Sequence, residues 1–214
     1  MIFYATALSS YSAKVRIVLC AKGLAFEERL PPGGYHSAEY RAIVPMGTLP
    51  AIQIGDWVLS ESEAINEYLE ESHPNPALLP SDPKSRARVR FISRFHDLHL
   101  EPRVRSLFAH AKPAARHVAH VTAQKIEIER CLGQLVEWTQ PHPYLLTPEL
   151  SLADCGLLVT LPLARDVLAA CGEPLEIPPS LQAWLDLASQ HPAVVRALLP
   201  WRLATEHWLK AQAL

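Results

Sequence analysis

The order of apolar segments predicts a small α/β domain followed by an all-helical one. Three observations carry that prediction. Short apolar runs alternate with helical patterns in the first 75 residues, in the order β-α-β-α-β-β-α. A proline-rich connector follows, His73-Pro74-Asn75-Pro76 and then Pro80-Ser81-Asp82-Pro83. Beyond it the strand signal disappears and only helical periodicity remains. The expected domains are 1–77 and 84–214, with the boundary in the connector.

The elements can be justified in order. Residues 2–5 form an apolar run that reads as a strand. Ser9 to Ser12 are helix-capping residue types, and the apolar stretch after them (Val15, Ile17, Val18, Leu19, Cys20) closes near Gly23. A second strand is expected over Ala25 to Leu30, parallel to the first because a helical crossover joins them, and Pro31-Pro32-Gly33-Gly34 breaks it. Ser37 to Ile43 is a short helix candidate. Leu49 to Ile54 and Trp57 to Leu59, around Gly55-Asp56, read as a hairpin. Ser60 to Ser72 follows as a helix with Ala64, Ile65, Tyr68 and Leu69 on one face. In the second half, helices are expected over 85–111, 118–139, 152–170 and 181–190. Pro102 and Pro162 should end or kink two of them, while Pro178-Pro179 and Pro192 punctuate the tail.

The bulk properties exclude some classes. A formal net charge of −2 offers no strong field for nucleic acid or anionic membrane. No run approaches the length of a membrane span. The Met1 start has neither a basic segment nor a long apolar one, so no signal peptide is expected. Four cysteines (Cys20, Cys131, Cys155, Cys171) form no C-x-x-C pair and no metal-ligand spacing, which fits a reducing cytoplasm and no metal.

Several motifs stand in order within the first half: Ser9-Ser10-Tyr11-Ser12-Ala13-Lys14-Val15-Arg16-Ile17, then Pro45-Met46-Gly47-Thr48-Leu49-Pro50, then a hairpin, then Leu59-Ser60-Glu61-Ser62-Glu63-Ala64-Ile65. Together they resemble the N-terminal domain of cytosolic glutathione transferases of the serine type. The first motif and the connector Leu78-Leu79-Pro80-Ser81-Asp82-Pro83-Lys84 are most similar to the zeta class. The resemblance implies a thioredoxin-like fold with a cis-proline, a helical second domain and a mainly homodimeric enzyme. Tyr11 stands where zeta members carry a cysteine, a departure that bears on isomerase chemistry.

Glutathione sets specific demands. Its thiol must be held as thiolate near neutral pH although a free cysteine thiol titrates at about 8.5. A hydroxyl at a helix N-terminus can donate to the sulfur while the helix end adds positive potential, and Ser9 stands at that place; Ser10 is the neighbouring alternative. A cis Leu49-Pro50 bond would turn the Leu49 main chain outward to pair with the cysteinyl unit like an added strand. Glu61 would face the γ-glutamyl ammonium, and Ser62 its carboxylate. Thr48 stands where many serine-type members have a lysine or glutamine, and His36 is a candidate for the glycyl carboxylate.

The electrophile side is less legible. Tyr11 and Ser10 lie beside Ser9. Arg165, on an apolar helix beyond Ser151-Leu152-Ala153-Asp154, falls near the arginine that zeta isomerases use for an acidic substrate, or it pairs with Asp166 or Glu173. Ser151 and Asp154 read as a capping box with a structural role. Arg103 and Arg105 could hold a carboxylate, although a basic helix surface is the plainer reading; His96 and His99 read as solvated helix residues. The functional expectation is glutathione-thiolate attack on a hydrophobic or acidic electrophile. The alternatives are glutathione-dependent isomerisation of a maleyl diacid, or a non-catalytic module that binds a protein.

Overall fold

The computed structural model describes residues 1–141 and 143–212; His142, Ala213 and Leu214 of the segment expected as 84–214 lie outside the described residues. The α/β part holds a four-stranded sheet of β1 (Ile2–Tyr4), β2 (Glu27–Arg29), β3 (Ala51–Ile54) and β4 (Trp57–Ser60), in the order β2-β1-β3-β4. β1 and β2 are parallel, joined through α1 (Ser10–Ala21), as a helical crossover requires. β3 runs antiparallel to β1 and to β4, with Gly55 at positive φ in the hairpin turn. Helices α2 (Ala38–Arg41) and α3 (Ser62–Ser72) complete this part.

α1 is the hinge of the architecture. It packs on α3 on one side and on α7 (Leu152–Ala170) and α9 (Pro192–Gln212) on the other, so Ser10 and Ser12 to Leu19 are all buried. Two cations are carried into the interior with it, and each finds a carboxylate. Arg16 forms a forked pair with Glu28 at 2.9 and 2.6 Å. Lys14 reaches Glu63 at 2.6 Å and Asp97 at 2.9 Å.

The connector is tied down by a second buried pair. Lys22 meets Glu70 at 2.7 Å and donates to the carbonyls of His73 and Pro76. The Glu70 carboxylate accepts from the backbone N–H groups of Leu78 and Leu79. Glu70→Gln removes the charge opposite Lys22 and turns one acceptor into a donor. It should cost about 2 kcal/mol, lowering Tm by roughly 4–8 °C in a chain of this size. A thermal melt of the variant checks this.

The helical part begins with α4 (Pro83–Phe95), capped by the Asp82 side chain. The helix expected over 85–111, with an end or kink at Pro102, is divided. A π-helical turn, His96–Leu100, precedes α5 (Glu101–Ser106), and the Glu101 N–H bonds back five residues to the His96 carbonyl. Pro102 supplies the reason. It has no N–H for the Leu98 carbonyl, and its ring needs room there, so the chain widens one turn upstream instead of ending. α6 (Val118–Trp138) precedes and α8 (Pro179–Ala188) follows α7 along the chain, and α7 runs through Pro162 without ending. The capping box is present: the Asp154 carboxylate accepts from the Ser151 N–H and hydroxyl, the Leu145 N–H and Trp184 Nε1.

The tail differs from expectation. Pro192 opens α9 at its first turn, where a missing N–H costs nothing, and Pro200 sits on its exposed side. The two prolines hide a helix whose Val194, Ala197, Leu198 and Trp201 are buried. No described helix is long and apolar enough to cross a membrane.

Candidate active site

The cleft lies where the start of α1, the turn before β3 and the start of α3 meet the π turn and α5. Its first compartment, about 340 Å³, is lined by Ser9, Tyr11, His36, Thr48 and Leu49, together with Tyr35, Arg105 and Phe108. The second, about 300 Å³, shares Tyr11, Thr48 and Leu49 and adds Pro50, Glu61, Ser62, Glu63 and Asp97. Both volumes are in the range of small-molecule sites. Residues from three separate sequence motifs are thus brought to one continuous surface.

The local geometry follows from the sequence. Ser9 is the N-cap of α1: its Oγ accepts the Ser12 N–H at 3.2 Å, which leaves its hydrogen for an acceptor in the cleft. The Leu49–Pro50 bond is cis. Tyr40, fully buried, donates to the Thr48 carbonyl at 3.0 Å and braces the segment before that proline. Glu61 has φ 75° and ψ 115°, a conformation rare outside glycine, at the entry to α3. Its side chain does not cap that helix, so α3 begins without a side-chain cap where Glu61, Ser62 and Glu63 line the second compartment. Such an outlier costs about 1–3 kcal/mol and points to a use. Glu61→Gly should therefore keep or raise stability, by about 1 kcal/mol, while ligand affinity in the second compartment falls by about tenfold. Paired thermal melts and binding titrations read the two effects separately.

Two expected site residues fall elsewhere or take another part. Ser10 is buried behind the cleft, not lining it; it donates to Glu101 Oε1 at 2.5 Å and accepts from Arg105 Nη2 at 2.9 Å. Of the two serines, Ser9 is the one that lines the cleft. Arg165 is not brought to the cleft. It is half-exposed, pairs with Asp166 at 3.0 Å and lines a separate groove with residues of α8 and α9. His36 does line the first compartment, at φ 66°, with its ring against Tyr35.

Other residues sit here that sequence reasoning missed or set aside. Arg105 lines the first compartment with its guanidinium over the Tyr11 and Phe108 rings. Beneath the second compartment, fully buried Lys14 bridges Glu63 and Asp97, and Ser93 donates to Glu63. His96, expected in solvent, is buried: its ring bonds Asp97 at 2.9 Å and Thr160 at 2.7 Å. Gly156 makes room for that ring, since a Cβ there would stand 2.5 Å from Nδ1. Burial opposes the Asp97 charge, but the His96 hydrogen bond and the Lys14 ammonium outweigh it and hold the carboxyl at about 2. Burial first, then the Glu101 and Asp97 carboxylates, push the Tyr11 phenol well above its usual range, so Tyr11 stays a neutral hydroxyl. The four cysteines are free, and burial pushes each thiol up, which disfavours thiol exchange by any of them. Among the described residues, no group of three or more His, Cys, Asp or Glu side chains is arranged to hold a metal.

Residues 3–77 match the family model "Glutathione S-transferase, N-terminal domain". A maleylacetoacetate isomerase from Pseudomonas aeruginosa is 34% identical over 205 residues, covering 88% of this chain and 91% of that protein. The chain belongs to the glutathione S-transferase family. A solved structure described as the holo form of maleyl pyruvate isomerase, a bacterial zeta-class glutathione S-transferase, superposes with a TM-score of 0.79 at 27% identity, over 92% of this chain and 96% of that one. The family likeness extends to a stringent starvation protein A homolog from Pasteurella multocida, 33% identical over 145 residues, 68% of this chain and 66% of that protein. The fold and the zeta-class resemblance expected from the motifs are thereby shown.

Proposed function

We propose that this glutathione S-transferase binds glutathione along the cleft and holds its sulfur as thiolate at Ser9 for attack on an electrophile in the first compartment. The observation that carries this reading is the convergence of Ser9, Leu49, the cis Pro50, Glu61 and Ser62 on one continuous surface. The roles follow from chemistry. The Ser9 hydroxyl donates to the sulfur at the positive end of α1. The Leu49 main chain, with Thr48 beside it, pairs with the cysteinyl unit. The Ser62 N–H and hydroxyl meet the γ-glutamyl carboxylate, and Glu61 meets the ammonium. His36 answers the glycyl carboxylate. In this division residues 1–77 bind glutathione, and 84–214 contribute the electrophile side through Arg105, Phe108 and the π turn.

A second reading is glutathione-dependent cis–trans isomerisation of a maleyl-type diacid. The named relatives favour it, and so does a cation, Arg105, in the compartment that Ser9 lines. A cytoplasmic homodimer fits either reading; the exposed Trp57, Phe91 and Leu98 offer apolar area to a second copy. The test is a pair of assays, one for conjugation and one for maleyl-type isomerisation, each with glutathione present and absent. Glutathione-dependent turnover in either supports the enzyme. No glutathione binding at millimolar concentration by calorimetry would instead favour a protein-binding module.

A further inference from the structure

The groove that Arg165 lines is formed by α7, α8 and α9, and it shares no lining residue with either compartment of the cleft. Its volume is about 330 Å³. Two polar side chains set it apart. Trp201 and Thr205 both line it, and they are only 3% and 4% exposed. They stand one turn apart on α9, so they share a face of that helix. Among the described residues, Trp201 Nε1 and Thr205 Oγ1 have no hydrogen-bond partner. An indole N–H can only donate, and a hydroxyl can donate or accept. Buried polar groups are nearly always paired in native proteins, so two unpaired ones lining one groove call for an acceptor there.

The charges around the groove narrow the chemistry of that acceptor. Arg165 pairs with Asp166 at 3.0 Å, and Glu206 pairs with Lys210 at 2.7 Å. Two lining charges are left over among the described residues. Arg202, on α9, makes no ion pair with them. Asp186, on α8, meets no cation among them; its Oδ1 accepts from Gln182 Nε2 at 2.7 Å. A simple anion would gain Arg202 but would also face the Asp166, Asp186 and Glu206 carboxylates. A zwitterion answers both leftover charges. Its carboxylate takes Arg202 together with the Trp201 and Thr205 donors, and its ammonium takes Asp186. Pro162, Leu185 and Leu209 add apolar wall for a side chain.

We propose that this groove is a second binding site, for free α-amino acids with a large apolar side chain. Trp201, Thr205 and Arg202 hold the ligand carboxylate, and Asp186 holds its ammonium. The site uses none of the cleft residues, so it stands whether or not the cleft takes glutathione.

Three probes with the same ring test it. They are L-phenylalanine, 3-phenylpropanoate, which lacks the ammonium, and 2-phenylethylamine, which lacks the carboxylate. Calorimetry on the full chain should find saturable binding of L-phenylalanine at millimolar concentration. Each counterpart should bind about tenfold more weakly, the scale of one charge-assisted hydrogen bond. Thr205→Val keeps the side-chain shape and removes the hydroxyl. It should weaken L-phenylalanine severalfold while the melting temperature holds or rises, because an unpaired buried hydroxyl is lost. Asp186 is exposed, so Asp186→Asn leaves the core untouched; it should abolish the preference for L-phenylalanine over 3-phenylpropanoate. Nuclear magnetic resonance reads the location: the Trp201 indole N–H signal should shift when L-phenylalanine is added. A shift confined to other signals would place the probe elsewhere and overturn the proposal. So would the absence of saturable binding, which would leave the two polar groups to an internal water. Binding of 3-phenylpropanoate as tight as that of L-phenylalanine would make the groove an anion site and would equally overturn it. Unchanged L-phenylalanine affinity in Thr205→Val, or an unchanged preference in Asp186→Asn, would do the same.

Discussion

Ser9→Ala should lower kcat/KM for conjugation by about a hundredfold at neutral pH, the usual scale for removing one donor from a developing or resting anion. The sign of the pH dependence separates this from a general loss of structure. A donor to sulfur favours the thiolate, so the thiol of bound glutathione titrates below its free value of about 8.5. Without the donor that titration moves up, and the defect should shrink as pH rises past the free value. Glutathione affinity at low pH, where the thiol is protonated in both proteins, should change little. Ser9 is also the N-cap of α1, so the variant should lose about 1 kcal/mol of stability as well. A pH–rate profile of both proteins, with melts alongside, resolves the two effects. A loss that is flat with pH would remove the serine from thiolate stabilisation.

Lys14→Met should be the most destabilising single change beneath the cleft. It leaves Glu63 and Asp97 as buried carboxylates without their shared cation, at an expected cost of about 3–5 kcal/mol. The same network sets an acid limit. Asp97 is held at about 2 against an ordinary 3.8, so its folded value is depressed. The stabilisation it carries is complete above about pH 4 and is lost as pH falls toward 2, about 2 kcal/mol in all. Asp97→Asn should flatten that part of the stability–pH curve. Denaturant melts from pH 2 to 7 check both statements; a Lys14→Met protein as stable as wild type would show that the ammonium is not needed to hold the carboxylates together.

Much of the fold was legible because local chemistry and tertiary demand agreed. The alternation in the first half, the Gly55-Asp56 turn, the Ser9 cap and the Ser151–Asp154 capping box each have a local signature, and each is found in place. Residues that line the cleft were legible for a related reason: they occupy loop and cap positions with special backbone requirements, such as the cis Leu49–Pro50 bond and the positive φ at Glu61. What was hidden depends on distant packing. Pro192 reads as a break because sequence alone does not show that it opens a helix, and that helix, which carries Pro200 on its exposed side, was not expected. The π turn before Pro102 changes which residues share a face, so Asp97 and Glu101 turn inward where an ideal helix pattern leaves their direction open. Lys14 was passed over inside an apolar stretch; a cation there, flanked by Ala13 and Val15, was the available sign of a buried pair. From sequence Arg165 stood ahead of Arg105, because the contacts that bring Arg105 to the cleft come from Glu101 and from Ser10, 95 residues away along the chain.

In the proposed reading Ser9 holds glutathione as a thiolate in this cleft. The most direct measurement is the ultraviolet absorbance of the thiolate, followed against pH in the complex of glutathione with the wild type and with Ser9→Ala. The thiolate signal in the wild type should titrate well below about 8.5 and move back toward that value in the variant. Titration of wild-type-bound glutathione at its free value, or the same depressed value in both proteins, would contradict it.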